Sequence, residues 1–154
     1  MASRPRLAQI DPTDIGDGEF LKRSGTGWVG AAGTAPAVLA VSATGDTTET
    51  LATDQLINLM TLTPGAGNYV VMFSAPISHS AQNGTLVLSV YVNAVQVSGS
   101  EKTVLVKGNR DLAGYIHKIT GVGAGQAVEM RWRNTFGSGN TICGNRSFTL
   151  LEVA

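Results

Sequence analysis

Cysteine occurs once, at Cys143, which excludes both an intramolecular disulfide and a cysteine-based structural zinc site. Charge is scarce as well: Asp, Glu, Lys and Arg make up 14% of the 154 residues, against roughly 25% in an average globular chain. A disordered chain has the opposite bias, with many charges and few apolar groups. The 11 basic and 11 acidic side chains cancel, so the chain has no global attraction to nucleic acid or anionic lipid, and neither is an expected partner. No apolar run exceeds about half of a membrane span. Behind the basic Arg4 and Arg6, Leu7-Ala8-Gln9-Ile10-Asp11 lacks the apolar stretch of a secretory signal. The expectation is a soluble protein maturing in a reducing cytoplasm, with one ordinary domain and a short arm.

The few charges are unevenly placed. Residues 1–23 hold Arg4, Arg6, Lys22 and Arg23 beside Asp11, Asp14, Asp17 and Glu19, whereas residues 24–100 contain no Lys or Arg and only Asp46, Glu49 and Asp54 as acids. So long a span without cations does not present an ordinary solvated surface on every side. It points to a face covered by another chain, because interface cores are depleted of charge.

Residues 1–35 read as an arm and linker. Pro5, Pro12, Gly16, Gly18, Gly25, Gly27, Gly30, Gly33 and Pro36 punctuate it too densely for a long helix or regular sheet, leaving short extended pieces such as Glu19-Phe20-Leu21-Lys22. From residue 36 to 154 the pattern becomes strands and turns. Leu86, Leu88, Val90 and Val92 alternate with Thr85, Val87, Ser89 and Tyr91, and Val128, Met130 and Trp132 alternate with Glu129, Arg131 and Arg133. Strands are expected near 37–42, 55–62, 68–76, 85–97, 102–107, 112–120, 126–134 and 147–153, separated by turns such as Asn83-Gly84 and Ser98-Gly99-Ser100. Such spacing describes a sandwich or barrel. Asp54–Leu62 also admits a helix, and Tyr69-Val70-Val71-Met72-Phe73 is apolar on both faces, as for a strand covered on both sides.

The motifs that carry chemistry are weak. Gly25-Thr26-Gly27-Trp28-Val29-Gly30 fits the dinucleotide fingerprint, but no βαβ unit surrounds it to aim amides at a pyrophosphate. Asp11, Asp14, Asp17 and Glu19 do not have the spacing of a calcium loop. His117 shares a face with Tyr115 and Ile119, where a strand histidine is the plain reading and a metal or anion on a three-fold axis the sharper one. His79, in Ser78-His79-Ser80, reads as part of a turn. No nucleophile elbow is present, and the strand region offers few acids for a glycosidase-like pair: Asp46, Glu49, Asp54, Glu101, Asp111, Glu129 and Glu152. Glu129, Arg131 and Arg133 form one polar strand face, for which a solvated surface is the ordinary explanation. No catalytic residue, metal site or cofactor is therefore assigned.

Several segments together carry a resemblance: Leu59 to Ser74 (LMTLTPGAGNYVVMFS), Tyr91-Val92-Asn93 with Gln96-Val97, Gly123 to Arg133 (GAGQAVEMRWR) and Arg146 to Val153 (RSFTLLEV). They resemble the jelly-roll domains of tailed-phage virion proteins, related in fold to tumour necrosis factor and complement globular heads. The resemblance spans about residues 36–154 and implies an all-β jelly-roll sandwich that associates as a homotrimer. It places Tyr69, Val71, Phe73, Tyr115, His117, Phe148 and Leu150 at the trimer contact; the alternation alone leaves open which face of those strands points inward. Gln9 to Val29, with its Asp-Gly, Leu-Lys and Gly-Trp-Val segments, is similar to linkers of phage fibre and head-attached proteins. That likeness implies a virion-anchoring arm carrying Arg4, Arg6, Ile10, Phe20 and Trp28. The expected role is a capsid decoration (cement or head-fibre) protein, with the major capsid protein as partner and the virion as location. The alternative is a tail-fibre or tail-tip module that recognises a host surface through loops 80–84, 108–111 and 135–141.

Overall fold

The computed structural model describes residues 19–24, 27–32, 36–81, 84–106, 110–136 and 139–154, the first two stretches as backbone. The chain divides between Ala35 and Pro36 into two units. In the first, β1 (Glu19–Ser24) and β2 (Gly27–Ala32) pair antiparallel, with Phe20 opposite Ala31 and Arg23 opposite Trp28. The isolated extended pieces expected here are thus partners in a hairpin. Gly27 to Gly30 of the dinucleotide-like pattern lie on β2, while Gly25 and Thr26 fall outside the described residues.

The second unit contains β3 (Val38–Ala43), β4 (Thr47–Glu49), β5 (Gln55–Leu62), β6 (Gly67–His79), β7 (Gly84–Val92), β8 (Val95–Gln96), β9 (Lys102–Val106), β10 (Asp111–Val122), β11 (Val128–Asn134), β12 (Thr141–Cys143) and β13 (Arg146–Val153). Long β6 organises the first sheet. One edge pairs with β10, and the other pairs first with β13 and then, beyond Ser74, with β12. β3 and β4 lie outside β13 and β12 in the same way. The first sheet is therefore four strands deep, in the order β3/β4, β13/β12, β6, β10. The second runs β5, β11, β7, with β9 and β8 sharing the far edge of β7. First run beside last, last beside third, third beside sixth, with the second, seventh, fourth and fifth opposite, is the strand order of a jelly roll.

The alternation of side chains decides what the sandwich encloses. Tyr69, Val71, Phe73, Ala75 and Ile77 of β6, Ala113 and Tyr115 of β10, and Phe148 and Leu150 of β13 meet Leu86, Leu88 and Val90 of β7 and Val128, Met130 and Trp132 of β11 in one core. Tyr115 keeps its hydroxyl satisfied there by donating to the Ser100 carbonyl at 2.6 Å.

Both split edges have local causes. Between β3 and β4 the chain turns through Gly45, at φ 83°, opposite Gly144 between β12 and β13. The buried Arg146 fills this break: Nε donates to the Asn58 carbonyl, and Nη1 donates to the Gly45 and Gly144 carbonyls, at 2.9 to 3.2 Å. Between β8 and β9 the chain turns at Ser98-Gly99, where the buried Ser100 hydroxyl accepts from the Val90 amide.

The strand expected at 55–62 is present as β5, which sets aside the helical alternative, and a bulge at Leu59 (φ 66°) turns both Ile57 and Met60 into the core. Two expectations are corrected. The single strand expected over 85–97 is two, because Asn93 and Ala94, both at positive φ, reverse the chain between Val92 and Val95. His79 is no turn residue but the buried last position of β6.

Candidate functional site

The two outer faces of the sandwich differ in chemistry. On the second sheet, Arg133 bridges Asp54 at 2.9 Å and Glu101 at 2.8 Å, and Arg131 pairs with Glu129 at 2.6 Å. Tyr91 donates its hydroxyl to Asp54 at 2.6 Å, and the Arg131 guanidinium lies 4.2 Å above the Tyr91 ring. The hydrogen bond from Arg133, helped by one from Gln96, holds the Glu101 carboxyl below its ordinary pKa. The polar face read on β11 is thus a network of mutually neutralised charges. Its arginines, Arg131 and Arg133, are committed to neighbouring carboxylates.

The outer face of the first sheet has almost no charge. Its outward positions are Val38, Ala40 and Ser42 on β3, Ser147, Thr149 and Leu151 on β13, Val70, Met72, Ser74 and Pro76 on β6, and Leu112, Gly114, Ile116 and Lys118 on β10. Leu112 is 79% and Ile116 73% exposed, unusual values for large apolar side chains on a regular strand. Registers align small residues in a row across the strands: Gly114 beside Ser74, Ser74 beside Ser147, Ser147 beside Ser42. The Ser74 and Ser147 hydroxyls hydrogen-bond at 2.9 Å. In the next row, Ile116, Met72 and Thr149 carry larger side chains than Gly114, Ser74 and Ser147, and Ala40 beside them is small.

The small row is consequently the floor of a groove. Two cavities, of about 540 Å³ over Gly114 and about 280 Å³ over Ser42, share Ser74 and Ser147 and run together along it. At the β10 end, Lys102 reaches across to donate to the Gly114 carbonyl at 3.2 Å. At the other side of the groove, beyond Pro76, the Arg110–Asp46 ion pair stands in solvent.

The residues expected at a trimer contact are elsewhere. Tyr69, Val71, Phe73, Tyr115, Phe148 and Leu150 are all buried in the core of a single chain. Those side chains leave no surface of their own for a second subunit. A strand apolar on both sides gives no sign of which side is inward, and here the odd positions of β6 and β10 and the even positions of β13 turned in. His117 points the same way as Tyr115 but is half-buried, in a cavity of about 530 Å³ at one end of the sandwich with Asn93, Gln96 and Gln126. Among the described residues no group of His, Cys, Asp and Glu is arranged to hold a metal ion. Arg4, Arg6 and Ile10, with the acidic Asp11, Asp14 and Asp17, lie outside the described residues, while Phe20 and Trp28 have positions on β1 and β2.

Of the three loops named for host recognition, residues 82, 83, 108, 109, 137 and 138 lie outside the described residues, and the described flanks lie at one end of the sandwich. Gly84 pairs with Val106 and Asp111 with Ile77, while Ser80 exchanges hydrogen bonds with Asn140. His79 sits beneath them, edge-on to Phe136. A buried polar row, Glu49, Thr141 and His79, crosses the first sheet there, unmarked in the sequence because its members lie far apart in the chain.

No family model matches the chain, and no curated protein does. Solved structures share the fold. A chain of infectious bursal disease virus, Gx strain, is similar at 9% identity and a TM-score of 0.50, over 83% of this chain and 34% of that one. This chain thus spans about a third of that protein's length. PRD1 vertex protein P5 is similar at 12% identity and 0.48, over 95% and 86%. The CBM36-1 domain of a multidomain xylanase from the hindgut metagenome of Trinervitermes trinervoides follows at 13% and 0.41, over 73% and 96%. At such identities the likeness is one of fold: the chain is an all-β jelly-roll sandwich, a fold that viral proteins also use.

Proposed function

We propose that this chain is a structural virion protein, a homotrimeric capsid decoration protein of cement or head-fibre type that holds the outer shell through its N-terminal arm and presents the jelly roll outside. The observation that carries the reading is the contrast between the two sheets. One outer face neutralises its own charges, and the other offers apolar and hydroxyl groups suited to a protein surface. The acids Asp46, Glu49, Asp54, Glu101, Glu129 and Glu152 already serve ion pairs or backbone amides, which favours a binding role over acid–base catalysis. The residue resemblance to tailed-phage jelly rolls and the fold shared with a viral chain agree with it. Stabilisation of a shell requires no chemistry, because a protein that binds assembled subunits and not free ones shifts the equilibrium by mass action. Three arms acting together add avidity. Arg4, Arg6, Ile10, Phe20 and Trp28 are the proposed anchoring residues of the arm.

A second reading, a tail module recognising a host surface, is favoured by the meeting of the loop flanks around residues 80, 110 and 140 at one end. Co-sedimentation separates the two. The full chain and residues 36–154 are each mixed with undecorated capsids and with host cells. Capsid binding by the full chain alone supports decoration through the arm; cell binding by both forms, with none to capsids, replaces it with the tail reading.

A further inference from the structure

We propose that the outer face of the first sheet is a two-fold contact, on which a second copy of this chain packs face to face. The proposal goes beyond the virion reading and holds for a capsid or a tail location alike.

The argument begins with the two neighbouring rows. The groove floor is Gly114, Ser74, Ser147 and Ser42; the ridge two residues along each strand is Ile116, Met72, Thr149 and Ala40. A two-fold axis lying in the face, parallel to the rows and midway between them, carries the ridge of one copy over the groove of the other. The same rotation fills the second groove with the first ridge, which is the self-complementarity an isologous contact requires. It also keeps each strand over its own counterpart, running antiparallel, so that Ser74 of β6 faces Met72 of the second copy. On β10, Gly114 opens the space that Ile116 of the other copy fills; a Cβ added at Gly114 would meet no atom within 4 Å.

Charge and area agree. The outward positions include one cation, Lys118, which stands with Lys102 of β9 along the β10 edge, and the Arg110–Asp46 pair borders the groove beyond Pro76. Two copies therefore meet around an apolar centre with their charges at the rim. Four strands about 4.8 Å apart and roughly eight residues long cover on the order of 500 Å² in projection. Two such faces together reach the roughly 1,000 Å² at which specific interfaces begin. Sheets packed face to face in this way stand about 10 Å apart, as within a sandwich.

The test is sedimentation equilibrium of the full chain across a concentration series, with circular dichroism and thermal melting confirming that each variant is folded. The expected assembly is even-numbered: a dimer, or a hexamer if the three-fold contact also forms. Ile116→Lys, at an exposed site, should raise the two-fold dissociation constant at least tenfold without moving the melt of the monomer. Ser74→Asp should do the same, and adding Met72→Lys to it should restore association, because the rotation sets those positions against each other. A monomer or a simple trimer at every concentration would overturn the proposal. So would an even-numbered assembly indifferent to Ile116→Lys, or a Ser74→Asp defect that Met72→Lys leaves unrescued.

Discussion

Arg146 shows how one side chain can hold a jelly roll's corner. Its guanidinium is buried at the break between β12 and β13, and its donors reach carbonyls of three separate segments, at Asn58, Gly45 and Gly144. Removing it leaves acceptors facing a void, and a buried polar group without its partner costs about 1–3 kcal/mol. Arg146→Met keeps most of the volume but loses the donors. The expected result is a loss of about 2–4 kcal/mol in urea unfolding, with Arg146→Lys in between because a single ammonium does not match the fork. A change below about 0.5 kcal/mol would mean that the carbonyls find water and the arginine is incidental.

Two other buried groups bear on stability at alkaline pH. Burial pushes the Cys143 thiol up to about 11, with the Arg146 cation acting weakly against it, and pushes the Tyr115 phenol up to about 12, only partly offset by its hydrogen bond to Ser100. In both cases the folded value exceeds the unfolded one, so the unfolded chain ionises first as pH rises. Their stabilisation is complete below the ordinary thiol value and declines through the folded values. Urea midpoints measured from pH 7 to 11 should fall above about pH 8.5, and Cys143→Ala should flatten the first part of that fall. A midpoint that rises with pH across this window would contradict the burial of both groups.

At the scale of elements, the turn between β7 and β8 carries local strain that a single substitution can relieve. Asn93 and Ala94 both have positive φ, 49° and 64°, the geometry of a two-residue hairpin turn. Asparagine tolerates that region, whereas alanine pays about 1 kcal/mol for its Cβ. Ala94→Gly should therefore raise stability by about 0.5–1 kcal/mol, read from thermal melting; a drop would show that the methyl is packed. The same turn explains an error of sequence reading. Tyr91 to Val97 is a smooth apolar-rich run, and Asn93-Ala94 carries no glycine to announce the reversal. Longer strands were legible because turn residues bound them and, as on β11, unlike faces alternate. β4 and β12 were not, since Thr47-Thr48-Glu49 and Thr141-Ile142-Cys143 are three residues each and stand only by pairing with each other and with β6. The candidate surface was half legible. The scarcity of charge between residues 24 and 100 announced a face with few charges, but β6, apolar on both sides, concealed which of its rows faces outward.

For the molecule as a whole, closure of the first sheet depends on residues distant in sequence. β13 lies between β3 and β6, pairing Phe148 with both Val41 and Phe73. A chain shortened by residues 146–154 loses Arg146, Phe148 and Leu150 together, and β3 is left without a partner in the sheet. Loss of the arm is a different matter, because the strand pairings of both sheets lie within residues 36–154. Residues 36–154 should therefore melt cooperatively within about 3 °C of the full chain, a shift worth under about 1 kcal/mol for a domain of this size, whereas residues 1–145 should show no cooperative transition. Refolding of the 36–154 unit should be slow, in the millisecond-to-second range, since the pairing of residues 38–43 with 146–151 must wait for a long loop to close. If residues 36–154 instead melted more than about 10 °C lower, the arm would belong to the fold of the jelly roll and its role as a separate anchor would have to be abandoned.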